Sequence, residues 1–181
     1  MSHASELDRV GNLLGALSVA VAERLYSAVT TATGRPRSDT AALVILATVL
    51  NGASQDSLAA VLSLSQSGAT RLVDRLVDGG LLTRKAGPDG RTHAITLTRA
   101  GRRAAEQALG ERAGVTGELT SSLDLGQRRA LAEALEVMLG SITADRADAL
   151  HICRLCDPVA CGHFTGNCPV TEAVIVKSGR A

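Results

Sequence analysis

The sequence predicts a mainly α-helical chain with one small β-hairpin, an α+β arrangement in which helices both precede and follow the strands. Three observations carry this. Apolar residues recur every three or four positions through most of the 181 residues. The period shortens to that of paired strands only between Leu81 and Leu97. Tyr26 and Phe164 are the only aromatics, so the core must be built from Leu, Val, Ile and Ala. The same scarcity nearly excludes the base-stacking platforms used on single strands and RNA. With 45% hydrophobic and 20% charged residues, the composition is that of a globular protein, neither disordered nor membrane-embedded. A net charge of +1 means that any polyanion must be met by a local group of Arg and Lys. No run approaches the roughly eighteen uninterrupted apolar residues of a membrane span, and the N-terminus lacks a signal-peptide layout. A cytoplasmic protein is expected.

The first helix runs from Leu7 to Ala32, with Val10, Leu14, Leu17, Val21, Leu25 and Ala28 on one face. Gly34, Arg35 and Pro36 interrupt it. Ser38 is placed to cap a second helix through Leu43, Leu46, Val49 and Leu50, closed by Asn51 and Gly52. Ser54 caps a short helix containing Leu58, Ala59, Val61 and Leu62. Ser63, Leu64 and Ser65 then form a tight link to a helix from Gln66 to Asp78, stopped by Gly79 and Gly80. Leu81 to Lys85 reads as a strand, Ala86 to Gly90 as a turn, and Arg91 to Leu97 as the returning strand. Thr98 caps a longer helix carrying Ala105, Ala108, Val115 and Leu119, expected to be broken or softened at Gly110, Gly114 and Gly117. Asp124 and Gln127 have capping-box spacing at the start of a last helix, whose stripe is Leu131, Leu135, Met138, Leu139 and Ile142. Beyond about Asp148 the pattern gives way to a cysteine-bearing segment, and Ala173 to Ala181 reads as a loose tail.

Three helices followed by a hairpin are the parts of a winged helix-turn-helix, in which one helix enters the major groove and the hairpin reaches a neighbouring minor groove. The residues of the Gln66–Asp78 helix suit that role. Ala69, Leu72, Val73, Leu76 and Val77 share one face, while Ser67, Arg71 and Asp74 lie opposite with Thr70 and Arg75 on the flanks. Ser65 and Gln66 bring free N–H groups and a positive dipole end, favourable to phosphate. Gly68 has no side chain to hold the helix away from a base edge. Arg71 is suited to bidentate contact with guanine, Gln66 to adenine, and Ser67 or Thr70 to base or phosphate. Arg84, Lys85 and Arg91 crowd the hairpin, where Asp89 can orient Arg91 towards a narrow minor groove.

The run from Leu58 through Leu97, with LSLSQSGATRLVDRLVDGGLLTR and then GPDGRTHAITLT, resembles the MarR family of bacterial winged-helix transcription factors. The likeness extends over roughly residues 7 to 145 when the flanking helices are included. It implies a homodimer with interlocked N- and C-terminal helices, two recognition helices one duplex turn apart on a near-palindrome, and repression relieved by a ligand or oxidant. It places Ser65, Gln66, Ser67, Gly68, Thr70, Arg71 and Arg75 where the recognition helix meets DNA, and Asp89 and Arg91 on the wing. The apolar stripes of the first and last helices exceed what a small winged core can cover, which independently fits dimerisation. The expected division is an N-terminal dimerisation helix over 1–33, the winged domain over 34–98, C-terminal dimerisation helices over 99–150, and a cysteine-rich extension over 151–181.

That extension departs from the usual family pattern. All four cysteines of the chain, Cys153, Cys156, Cys161 and Cys168, fall within it at C-x2-C-x4-C-x6-C spacing, with Gly162, Gly166 and two prolines to let the loop wrap. Four thiolates in one loop can surround an iron–sulfur cluster or a tetrahedral zinc. Zinc sites more often use two separated knuckles, whereas a single short loop with Pro169 after its last cysteine leans towards a cluster. His151 and His163 are possible substitute ligands; a disulfide pair is disfavoured in a reducing compartment.

The expected function is therefore a dimeric, sequence-specific DNA-binding regulator, a repressor, whose four-cysteine motif holds an iron–sulfur cluster for redox or iron sensing. Loss of the centre would release the tail from the dimerisation helices and change the distance between recognition helices. The alternative is a regulator answering to a small aromatic effector, with structural zinc in the tail. An enzyme using Cys153 and Cys156 as a redox pair is disfavoured, because such catalysis belongs near a βαβ pattern that the sequence lacks.

Overall fold

The computed structural model describes residues 3–86 and 93–179. The first helix, α1 (His3–Thr33), is followed by α2 (Arg37–Thr48), in which every residue from Asp39 to Leu46 is buried. Pro36, not Ser38, occupies the cap of α2. Its fixed φ suits a helix entrance, and Ser38 Oγ turns aside to Asp39 Oδ1 at 3.3 Å. Then come α3 (Gln55–Val61) and α4 (Gln66–Asp78), capped by the hydroxyls of Ser54 and Ser65, which accept from the N–H groups of Ser57 and Gly68.

Strands β1 (Leu82–Ala86) and β2 (His93–Leu97) pair antiparallel, with Leu82 opposite Leu97 and Arg84 opposite Ile95. A bridge from Ser54 to Ala94 and a bond from Ile95 N to Ala53 O at 2.9 Å sew the α2–α3 connection onto the hairpin. The hairpin thereby becomes a rigid appendage of the helix-turn-helix. Its tip, where Asp89 and Arg91 were expected to face DNA, lies outside the described residues.

Helix α5 (Arg99–Ser121) runs unbroken through Gly110, Gly114 and Gly117, contrary to the expected softening. Each glycine costs about 1 kcal/mol of helix propensity, but Ala105 and Ala108 on the same helix are fully buried in the core, and that packing outweighs the local preference. At its start the helix presses on the preceding turn. A side chain at Gly101 would place Cβ 2.2 Å from the Leu81 carbonyl oxygen, so only glycine fits. Helix α6 (Leu125–Ile142) opens with the expected capping box, Asp124 and Gln127 each bonding the other's backbone.

The remainder is more ordered than its composition suggests. Helix α7 (Arg146–Ile152) continues into a 3-10 turn over Cys153–Leu155, a second such turn spans His163–Thr165, and α8 (Pro169–Ser178) ends the described chain. Residues 173–178 of the segment read as a loose tail are therefore helical. Pro169 is well placed in the first turn of α8, and Lys177 Nζ donates to the carbonyls of Gly140 and Thr143, fastening α8 to the end of α6.

One core joins α2, α3, α4, the hairpin and α5, with Leu43, Ile45, Leu46, Leu58, Leu72, Leu76, Leu82 and Ile95 almost fully buried. Leu150 and Leu155 of the cysteine segment pack against that same cluster. By contrast Leu7, Val10, Leu13, Leu14 and Leu17 of α1, and Leu125, Leu135, Val137 and Ile142 of α6, stand exposed. Within Glu6–Thr33 an 18-residue stretch is, by length and composition alone, apolar enough to cross a membrane, with a mean hydropathy of 1.3.

Candidate nucleic-acid interface and thiol site

Helix α4 divides cleanly. Ala69, Leu72, Val73 and Leu76 are buried beneath it, while Ser65, Gln66, Ser67, Thr70 and Arg71 are exposed above and Gly68 is half-buried. Several of these polar groups are already held. Ser65 Oγ caps the helix and lies 3.3 Å from Ser67 Oγ. Gln66 Nε2 donates to Asp56 Oδ1 at 3.0 Å, and Thr70 accepts from Gln55 Nε2 at 2.8 Å while its hydroxyl donates to Gln66 O. The two residues of α3 that brace this face, Gln55 and Asp56, were not singled out from sequence; their place in the first turn of the preceding helix was the available signal.

The arginines divide in the same way. Arg71 is exposed and makes no ion pair among the described residues. Arg75, expected to meet DNA, instead spends two donors on Asp39: Nε to Oδ2 at 2.9 Å and Nη2 to Oδ1 at 2.5 Å. Asp39 is 1% exposed, so this fork ties α4 to α2, and the hydrogen bond to Asp39 raises the pKa of Arg75 above its ordinary value. Arg84 on β1 pairs with Asp74 of α4, bracing wing against helix, and Lys85 beside it is exposed. Ser67, Thr70, Arg71 and Lys85 are thus exposed, whereas Arg75 and Arg84 are held in ion pairs with Asp39 and Asp74.

All four cysteines, with His163, line one cavity of about 320 Å³, closed by Val49, Leu150, Pro158, Val170, Val174 and Ile175. The loop wraps because Gly162 adopts φ +73, where a Cβ would also sit 2.9 Å from Asn167 Cβ. The Cys161 thiol donates to the Pro158 carbonyl at 3.6 Å. Among the described residues no three His, Cys, Asp or Glu side chains converge closely enough to hold a single metal ion.

Hydrogen bonding from Cys153, reinforced by Arg112 and Arg154 against the opposing effect of burial, lowers Cys156 to about 6 and pushes Cys153 up. Burial raises Cys161. Cys168 is lowered because, against burial, it accepts from the hydroxyl and N–H of Thr171, the N–H of Val170 and the Cys161 thiol. A thiol with a lowered pKa is ionised above that value, so in reduced, metal-free protein alkylation of Cys156 by iodoacetamide should reach half its maximal rate at about pH 6. Peptide mass spectrometry across a pH series measures it, with Cys153 remaining the slower of the two throughout.

The histidines part company. His163 Nδ1 meets Thr171 Oγ1 at 2.8 Å on the cavity wall. His151 is turned away from the cavity and bonds the Val61 carbonyl at 2.9 Å.

Comparison with known proteins agrees with this architecture. Residues 33–92 match a family described as the MarR family. No protein among those with curated functions matches the chain. CouR from Rhodococcus jostii RHA1, solved with bound p-coumaroyl-CoA, is 25% identical, with 72% of this chain and 92% of CouR covered and a TM-score of 0.56. MepR, a transcription regulator of the Staphylococcus aureus multidrug efflux pump MepA, is 19% identical over 73% of this chain and 97% of MepR, with a TM-score of 0.64. A MarR family protein from Bacillus stearothermophilus is 19% identical over 80% of this chain and all of the other, with a TM-score of 0.68. The last two establish the fold alone.

Proposed function

Residues 33–92 are a MarR-family domain, and from that premise we propose that the chain is a dimeric, sequence-specific repressor of transcription whose four cysteines hold an iron–sulfur cluster. The family's members are transcription regulators and not enzymes, which removes the redox-enzyme alternative. The observation that carries the DNA-binding reading is the exposed polar face of α4, rising from a buried apolar one beside Lys85 of the wing. It matches what a major groove admits. The exposed apolar stripes of α1 and α6 are the surfaces a second copy would cover, and Glu6, Asp8, Arg9, Glu23 and Arg24 on α1 suit a helix pair in water better than a bilayer.

The cluster reading rests on four thiols lining one cavity. Cys153, Cys156, Cys161 and Cys168 would be its ligands, and the centre would supply sensitivity to oxidant or to iron supply. Protein purified without oxygen should contain iron and inorganic sulfide in equal amounts, absorb broadly in the visible, and bind duplex DNA drawn from around its own coding locus. Cys156→Ser should lose the iron and the colour. A colourless protein with stoichiometric zinc would favour the second reading, in which an aromatic effector acts instead. The p-coumaroyl-CoA bound by CouR supports that reading, for which the groove of about 390 Å³ lined by Tyr26, Thr30 and Arg37 would offer room.

A further inference from the structure

His151 lies two residues before Cys153, yet it serves another part of the protein. Its Nδ1 is 2.9 Å from the carbonyl oxygen of Val61 and 3.5 Å from Ser63 Oγ. A carbonyl only accepts, so Nδ1 carries the proton and donates to it. Val61 ends α3, where helix carbonyls have no partner within the helix. Ser63 follows with φ +53, the one positive φ outside glycine among the described residues. That is a strained position for a residue with a Cβ, and it persists only where surroundings enforce it. Val61 to Ser65 is the turn of the helix-turn-helix itself, and Ser65 caps the recognition helix.

The other end of the link is equally anchored. Arg154 Nη1 donates to the His151 carbonyl at 2.5 Å, and its Nη2 reaches the Tyr26 hydroxyl on α1 at 3.3 Å. His151 is thus gripped from behind by the residue between Cys153 and Cys156. Leu150 and Leu155 pack into the winged core on either side of it. The thiol loop therefore docks directly on the DNA-reading unit of its own protomer, as well as on α6 through Lys177.

We infer that His151 is a positioning residue for DNA recognition: it pins the turn before α4, and the state of the thiol site sets how firmly the pin is held. The signal then needs no change in the separation of two recognition helices. The pin itself stands on the geometry above, and only its control by the thiol site rests on the metal-centre reading.

Hydrogen exchange separates the two. In otherwise native protein, His151→Ala should raise amide exchange from Ser63 to Gly68 about tenfold with α1 and α5 unchanged, and His151→Asn, which keeps a donor near the Nδ1 position, should restore protection. An unaltered turn in His151→Ala, or a rise spread evenly through the chain, overturns the pin. Stripping wild-type protein with EDTA and a reductant should reproduce the rise at the same amides, with no further rise in His151→Ala. Metal loss that leaves the wild-type turn unchanged overturns its control by the site. A preparation with no metal before stripping refutes the metal centre and that control, and the His151→Ala comparison still decides the pin.

Discussion

Arg75→Ala is expected to destabilise the protein by about 1 to 3 kcal/mol, the cost of leaving the buried carboxylate of Asp39 without its partner, less than for a fully buried pair because the Arg75 side chain is itself half exposed. The carboxylate left behind, Asp39, is 1% exposed in the first turn of α2. Both of its oxygens are engaged by the Arg75 fork, with only the Ser38 hydroxyl at 3.3 Å as a further side-chain donor among the described residues. Arg75→Lys should recover part of the loss, since an ammonium supplies the charge but not the two-pronged geometry. Asp39→Asn combined with Arg75→Gln should be less damaging than Arg75→Ala alone, because no buried charge is then unpaired. Urea denaturation at equilibrium measures all three. Equal midpoints for wild type and Arg75→Ala would return Arg75 to the role of a free DNA contact.

How far the sequence reached is clearest at these same residues. The two faces of α4 were legible because burial repeats with helical period, and Leu72, Val73 and Leu76 are buried as that period requires. Caps at Ser54, Thr98 and Asp124 were legible because their signal is local, one side chain and an N–H within three residues. The pairing of Arg75 with Asp39 spans 36 positions and that of His151 with Val61 spans 90, and no local pattern encodes such a meeting. An isolated acid at the head of the apolar run ALVIL was the sole trace of the first. Helix α8 was missed for the opposite reason. Its apolar residues lack a clear helical stripe, and what fixes it is tertiary, namely Val170 in the cavity wall and Lys177 on the carbonyls of α6. The uninterrupted α5 teaches the same lesson, since three glycines that would weaken an isolated helix are outweighed by what Ala105 and Ala108 bury.

Arg71→Ala should weaken binding to a specific duplex site by about 1 to 3 kcal/mol, roughly fivefold to 150-fold, and relax the preference at one base position. Its stability should stay within about 0.5 kcal/mol of wild type, as for other surface changes away from structural contacts, because Arg71 is exposed and makes no ion pair among the described residues. That combination distinguishes it from Arg75, whose replacement harms fold and affinity together. Lys85→Ala should instead weaken all sequences alike and make the slope of log affinity against log salt shallower by about one. The difference follows from chemistry: a guanidinium can read two acceptors on one base, whereas an ammonium on the hairpin meets phosphate as a point charge. Fluorescence anisotropy with the duplex and single-base variants of it, across a salt series, resolves both. Identical slopes for wild type and Lys85→Ala, together with unchanged base preference in Arg71→Ala, would remove α4 and the wing from the DNA surface.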